Sequence, residues 1–145
     1  MSSSFEGEGR TEDENGFQNG PSGGPAVLVI EQTEATRGLM AQALQPDYRV
    51  DAVATYDQAR RRAEETRYRG IVLSVYRHDV EAGVELMENL RASARPGEVA
   101  VILVVRSSFD RDPSSLLDAG VDDVMRMPFA KSTLLDIVGR HVSVE

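Results

Sequence analysis

The sequence predicts an α/β fold: a parallel five-stranded sheet with helices on both faces. Three observations predict it. Short apolar runs recur along the chain, AVLVI (26–30), GIVLSV (70–75) and VAVILVV (99–105), each bounded by Gly, Pro or charge. Runs with so few polar residues suit central parallel strands buried on both faces. Segments of helix length with one apolar face separate them, and the alternation repeats five times between residues 25 and 145.

Taken in order, AVLVI is the first strand. Residues 33–45 then place Leu39, Met40, Ala43 and Leu44 on one helical face. YRVDAVA (48–54) alternates more, as an edge strand does. Thr55 and Gln58 form a capping box that opens a helix to about Tyr68. This helix carries Arg60, Arg61, Arg62 and Arg67 and has only Ala59, Ala63 and Tyr56 to bury, so it is expected to be the loosest. GIVLSV is the third strand, and residues 83–94 align Val84, Met87 and Leu90 on the next helix. VAVILVV is the fourth strand. Asp112-Pro113, a cap followed by Pro at the first helical position, opens a short helix that ends at Gly120. DDVMRM (122–127) is a weaker fifth strand, and residues 131–142 align Leu134, Ile137 and Val138, with Leu135 on the flank. Right-handed crossovers leave few topologies for such a chain. The expectation is a doubly wound, flavodoxin-like sheet of strand order 2-1-3-4-5.

Composition narrows the function. A length of 145 residues suits one domain, and 41% hydrophobic residues exceed what a fully disordered chain carries. A net charge of −8 argues against nucleic acid as a partner, which calls for clustered positive charge. With no cysteine, disulfides, thiolate metal sites and thiol nucleophiles are excluded. His78 and His141 cannot hold zinc alone. The first reads as a solvated loop residue, the second as a charge at a helix C-terminus. No apolar run approaches the ~18–20 residues that span a bilayer. The opening MSSSFEGEGR lacks the apolar stretch of a signal peptide, so no membrane insertion and a cytoplasmic address are expected.

The charge is unevenly spread. Residues 1–24 carry Glu6, Glu8, Glu12, Asp13 and Glu14 against Arg10, half of the whole excess, together with six of the twelve glycines. Apart from Met1, their only large apolar residues are Phe5 and Phe17. Such a segment buries too little area to offset ordering entropy. The expected division is therefore a disordered acidic tail, 1–24, and a folded domain, 25–145.

Ligands of doubly wound sheets bind outside the carboxyl ends of the strands, where the strand order reverses. The residues there are Glu31 and Gln32 after strand one, Ser74 near the end of strand three, Val105 at the end of strand four and Met127-Pro128 after strand five. EQTEATRG after strand one contains no Gly-rich phosphate loop, which argues against a nucleotide-binding member of this fold class.

The layout resembles the receiver domain of bacterial two-component response regulators over residues 26–142. VLVIEQTEATRGLMAQAL is similar to that family's first strand, acidic pair and first helix. RGIVLS occupies the segment that ends at the phosphoacceptor aspartate, and LLDAGVDDVMRMPF resembles the stretch through the last strand to a Lys-Pro-Phe. The resemblance implies a phosphorylation pocket at Glu31, Gln32, Ser74, Val105 and Met127, and a switch aromatic at Val124. The departures are large. The family's second acid is Gln32, its aspartate Ser74, its strand-four hydroxyl Val105, its lysine Met127 and its switch aromatic Val124. Only Glu31 keeps family-like chemistry, so magnesium binding is expected to be weak or absent. Ser74 is a poor nucleophile without an adjacent base.

The implied protein is a pseudo-receiver, not an enzyme, that works by phosphorylation-independent binding to a signalling protein such as a histidine kinase or another regulator. With no output domain after the last helix, binding is the expected output. The family's favoured surface corresponds to Arg111, Asp118, Asp122, Arg126, Lys131 and Arg140. Two alternatives stay open: phosphorylation of Asp79, Glu81 or Ser74 in an active but atypical receiver, and a small-molecule binder on the same fold. The resemblance also raises a cis bond at Met127-Pro128, against the trans preference of sequence alone.

Overall fold

A computed structural model describes residues 24–75, 80–92, 97–106 and 117–142. The elements are β1 (Ala26–Ile30), α1 (Glu34–Leu44), β2 (Arg49–Val53), α2 (Tyr56–Glu65), β3 (Gly70–Val75), α3 (Val80–Ala92), β4 (Ala100–Val105), β5 (Asp123–Arg126) and α4 (Lys131–His141). The sheet order is β2-β1-β3-β4-β5, and every neighbouring pair is parallel. The acidic tail expected over 1–24 lies, except for Gly24, outside the described residues. So does most of the helix expected from Asp112; Leu117 and Asp118 are helical, and Gly120 turns the chain at φ 111 toward β5.

The central strands are buried on both faces, as their unbroken apolar runs require. Alternate residues feed two cores. Leu28, Ile30, Ile71, Leu73, Val101, Leu103 and Val105 pack with Ala59, Leu86, Met87 and Leu90 of α2 and α3. Val27, Val29, Val72, Ile102 and Val104 pack with Met40, Leu44, Leu134 and Val138 of α1 and α4. The edge strand β2 has partly exposed positions, in keeping with its alternation.

Three local readings need correction. Leu39 is half-exposed, because α1 buries Met40, Ala41, Ala43 and Leu44 and turns Leu39 to its flank. α2 ends at Glu65, not near Tyr68. Thr66 leaves the helix at φ −135, ψ 138, which lets Tyr68 enter the core and donate its hydroxyl to Asp51 Oδ2 at 2.5 Å. α3 starts at Val80 and buries Val80, Gly83, Leu86, Met87 and Leu90, leaving Val84 only partly buried. Gly83 is what allows this approach, since a Cβ there would lie 2.5 Å from Val75 Cγ1. The Met127-Pro128 bond is cis. The capping box of α2 is present, with Thr55 Oγ1 accepting from Gln58 N at 3.1 Å. Ala59 is the one buried residue of α2, fewer than in any other described helix.

Candidate functional site at the carboxyl edge of the sheet

The strand order reverses between β1 and β3, and a cleft of about 360 Å³ opens beyond their carboxyl ends. Ile30, Gln32, Ser74 and Ala82 line it together with Ala54, Thr55, Tyr56 and Asp57 from the start of α2. Glu31, between the lining residues Ile30 and Gln32, is 1% exposed. Ile30 pairs with Leu73, and the next residues, Glu31 and Ser74, follow at the same edge of the sheet.

The turn after β1 is held by its own polar groups. Thr33 N donates to Glu31 Oε2 at 2.8 Å, and Glu31 N donates to Val53 O at 3.0 Å. Arg37 Nη1 donates to Glu31 O at 3.0 Å and Gln32 O at 3.4 Å. One oxygen of the Glu31 carboxylate is thus already engaged in fixing the entry to α1. Ser74 is 3% exposed, and its Oγ makes no hydrogen bond among the described residues. Across the cleft, Asp57 is exposed and pairs with Arg60 at 2.9 Å.

The other expected pocket residues go elsewhere. Val105 is fully buried in the core under α2 and α3, against which Val124 is partly buried. Met127 lines a second cleft of about 420 Å³ with Thr36, Leu39, Arg106, Pro128, Phe129 and Lys131, between α1 and the start of α4. So Gln32 and Ser74 share one cleft, and Met127 opens onto another. Among the described residues, no three His, Cys, Asp or Glu side chains converge as a metal cluster.

The surface residues divide as well. Asp118, Arg126 and Arg140 are exposed. Lys131 is exposed and donates to Gln42 Oε1 at 3.1 Å. Asp122 is committed to the fold, accepting from Val101 N at 2.7 Å and from Arg91 Nη2 at 2.5 Å. Arg111, His78 and Asp79 lie outside the described residues, and Glu81 is exposed in the first turn of α3. His141, read as a C-terminal helix charge, is in the last turn of α4 with Nε2 3.0 Å from Asp123 Oδ2.

Sequence reasoning missed Thr55, Tyr56 and Asp57 as cleft residues. The available signal was their place after β2, at the same sheet edge, which the capping box masked. It also missed Thr36, Leu39 and Phe129, which the second cleft joins across segments far apart in the chain.

Comparison with known proteins assigns this geometry to a family. The receiver domain of the sensor histidine kinase PA1611 from Pseudomonas aeruginosa, whose structure has a magnesium ion coordinated in its active-site cleft, is 28% identical. Its TM-score is 0.67, over 81% of this chain and 97% of that one. The chemotaxis protein CheY4 from Vibrio cholerae is 20% identical with a TM-score of 0.69, over 81% of this chain and 98% of that one. NtrX from Brucella abortus is 18% identical with a TM-score of 0.69 over 81% of this chain, which spans only 26% of NtrX. No curated protein sequence matches. No helix among the described residues is long and apolar enough to cross a membrane. The family model for the response regulator receiver domain matches residues 27–139, and the chain belongs to that family.

Proposed function

We propose that the chain is a pseudo-receiver: a signalling module that does not use phosphorylation and is not an enzyme. Its output is binding to another signalling protein, with a histidine kinase or a further regulator as the partner class and the cytoplasm as its place of action. The observation that carries this reading is the donor set of the reversal-point cleft. A neutral, buried Ser74 stands beside one carboxylate, Glu31, whose Oε2 is held by Thr33 N.

Phosphoryl transfer depends on positioning and on electrostatic stabilisation of the transferred oxygens. Mg²⁺ asks for near-octahedral oxygen ligands and is usually anchored by one or two carboxylates. Glu31 with the neutral oxygens of Gln32 and Ser74 fits such an ion poorly, so magnesium binding is weak or absent. Met127 opens onto a different cleft and brings no charge to the first. Val105 and Val124 offer neither a hydroxyl nor a phenol through which a phosphate could bias the fold. Each missing charge-assisted contact would contribute ~1.5–3 kcal/mol.

The test is intact-mass measurement of the full chain after incubation with acetyl phosphate and Mg²⁺. The expected spectrum is unchanged. A stoichiometric, Mg²⁺-dependent phosphoprotein would sink the reading, and loss of the label in Ser74→Ala, Asp79→Asn or Glu81→Gln would then locate the acceptor.

A further inference from the structure

The second cleft has a character unlike the first. Leu39, Met127, Pro128 and Phe129 give it apolar walls, while Arg106 and Lys131 supply positive charge and Thr36 a hydroxyl. Its volume of about 420 Å³ falls within the range of pockets that take a compact, partly apolar ligand. Leu39 is 50% exposed, one of only two large apolar side chains so exposed among the described residues. An aromatic group carrying nearby negative charge is the chemistry that fits.

The chain itself contains such a group. Glu12-Asp13-Glu14-Asn15-Gly16-Phe17 places three acids just before an aromatic residue, in the segment that precedes the described part of the chain. We propose that the cleft between α1 and α4 is the binding site of this segment, with Phe17 against the apolar walls and the three acids beside Arg106 and Lys131.

Reach brings Phe17 to the Leu39 wall of the cleft. A Cβ on Gly24 would lie 2.3 Å from Asp47 O, so the segment leaves the domain beneath the C-terminal end of α1. Leu39 is five residues before Leu44, about 8 Å along that helix at ~1.5 Å per residue. The seven steps from Phe17 to Gly24 span up to roughly 24 Å when extended. Tethering also raises the effective concentration to the millimolar range for a short linker, which favours this occupant over the same segment of a second copy. Burying one aromatic side chain removes ~150–250 Å² from water, and the charges add an attraction that salt screens. Because the cleft is separate from the Ser74 cleft, the proposal stands or falls independently of phosphorylation.

The test uses the full chain. It has no cysteine, so Asn15→Cys gives a unique site for a nitroxide spin label. Expected is paramagnetic broadening of amide signals centred on Leu39, Phe129 and Lys131. It should be unchanged on tenfold dilution, fall severalfold in ~1 M salt and disappear when Phe17→Ala is added. The folded domain is untouched by either tail substitution. Broadening that is absent or spread evenly would overturn the proposal. Broadening that vanishes on dilution would assign the site to a second copy and overturn it equally. If broadening survives both Phe17→Ala and the triple variant Glu12→Gln, Asp13→Asn, Glu14→Gln, the stated chemistry is wrong.

Discussion

The two edges of the sheet use polar residues to different extents. At the amino edge they are spent on architecture. Arg91 at the end of α3 donates to Gly120 O, to Val99 O at 3.2 Å and to Asp122 Oδ2 at 2.5 Å, while that carboxylate also accepts from Val101 N at 2.7 Å. Tyr48 OH donates to Val142 O at 2.9 Å, tying the start of β2 to the end of α4. His141 and Arg140 reach Asp123 at 3.0 and 3.7 Å. At the carboxyl edge, where ligands of this fold class bind, the strand ends present Gln32, Ser74, Val105 and Met127. The difference teaches that fold and reaction are written on separate edges. The amino edge can hold the strands in register whatever residues the carboxyl edge presents.

Removing the main amino-edge anchor is the strongest way to break this contrast. Asp122→Ala strips Val101 N of its acceptor and Arg91 of its partner in one step. A hydrogen bond to a charged group contributes ~1.5–3 kcal/mol, while the half-exposed ion pair itself adds little. The expected loss is about 2 kcal/mol in urea unfolding, with the intact fold retained. A midpoint within error of wild type would show that the amino edge is not anchored there.

Alkaline pH tests the same edge through its tyrosines. Burial, and then the charge of Asp47, raise the Tyr48 hydroxyl above its ordinary value of 10.0. For Tyr68, burial acts first and the hydrogen bond and charge of Asp51 add to it. Both groups therefore keep their protons in the folded chain after the unfolded chain has begun to lose them. With fewer protons bound in the unfolded state, stability falls as pH rises above ~10, by up to ~1.4 kcal/mol per pH unit for each tyrosine. Below that value both states are protonated and the contribution is complete. Urea midpoints between pH 9 and 11 should show the decline, and Tyr68→Phe should lessen it by one tyrosine's share. An unaltered slope in the variant would remove Tyr68 from the account.

How much of this was legible beforehand follows from the range of each interaction. Val27, Val29, Ile71 and Leu103 advertise the sheet because burial on both faces forces unbroken apolar runs, and the five strands fall within the expected segments. The ends of α2 and α3 were harder to place. Tyr68 leaves its helix for a partner on β2, and Val80 and Leu86 are set by how closely Gly83 meets Val75, neither of which is local. Fold topology placed Glu31, Gln32 and Ser74 at one edge. It could not show that Met127 opens onto a separate cleft with Leu39, or that the exposed Asp122 also accepts from Val101 N.

The smallest effect belongs to Ser74, and its sign carries the comparison. A buried hydroxyl with no partner among the described residues retains part of its desolvation cost, so Ser74→Ala should be neutral or stabilising by less than ~1 kcal/mol. Ser74→Asp restores the residue type of an acceptor at the end of β3 without its surroundings. It adds a second carboxylate to Glu31 at this edge, one residue past the Ile30–Leu73 pair, with no added cation. Like charges at such range oppose ionisation, and the buried group has nothing to offset its desolvation. The aspartate variant should therefore be less stable than the alanine variant by about 2 kcal/mol, and millimolar Mg²⁺ should not recover the difference. Recovery by Mg²⁺ would mean that Glu31 and the restored aspartate suffice to hold the ion. The carboxyl edge would then be one substitution away from a cation site.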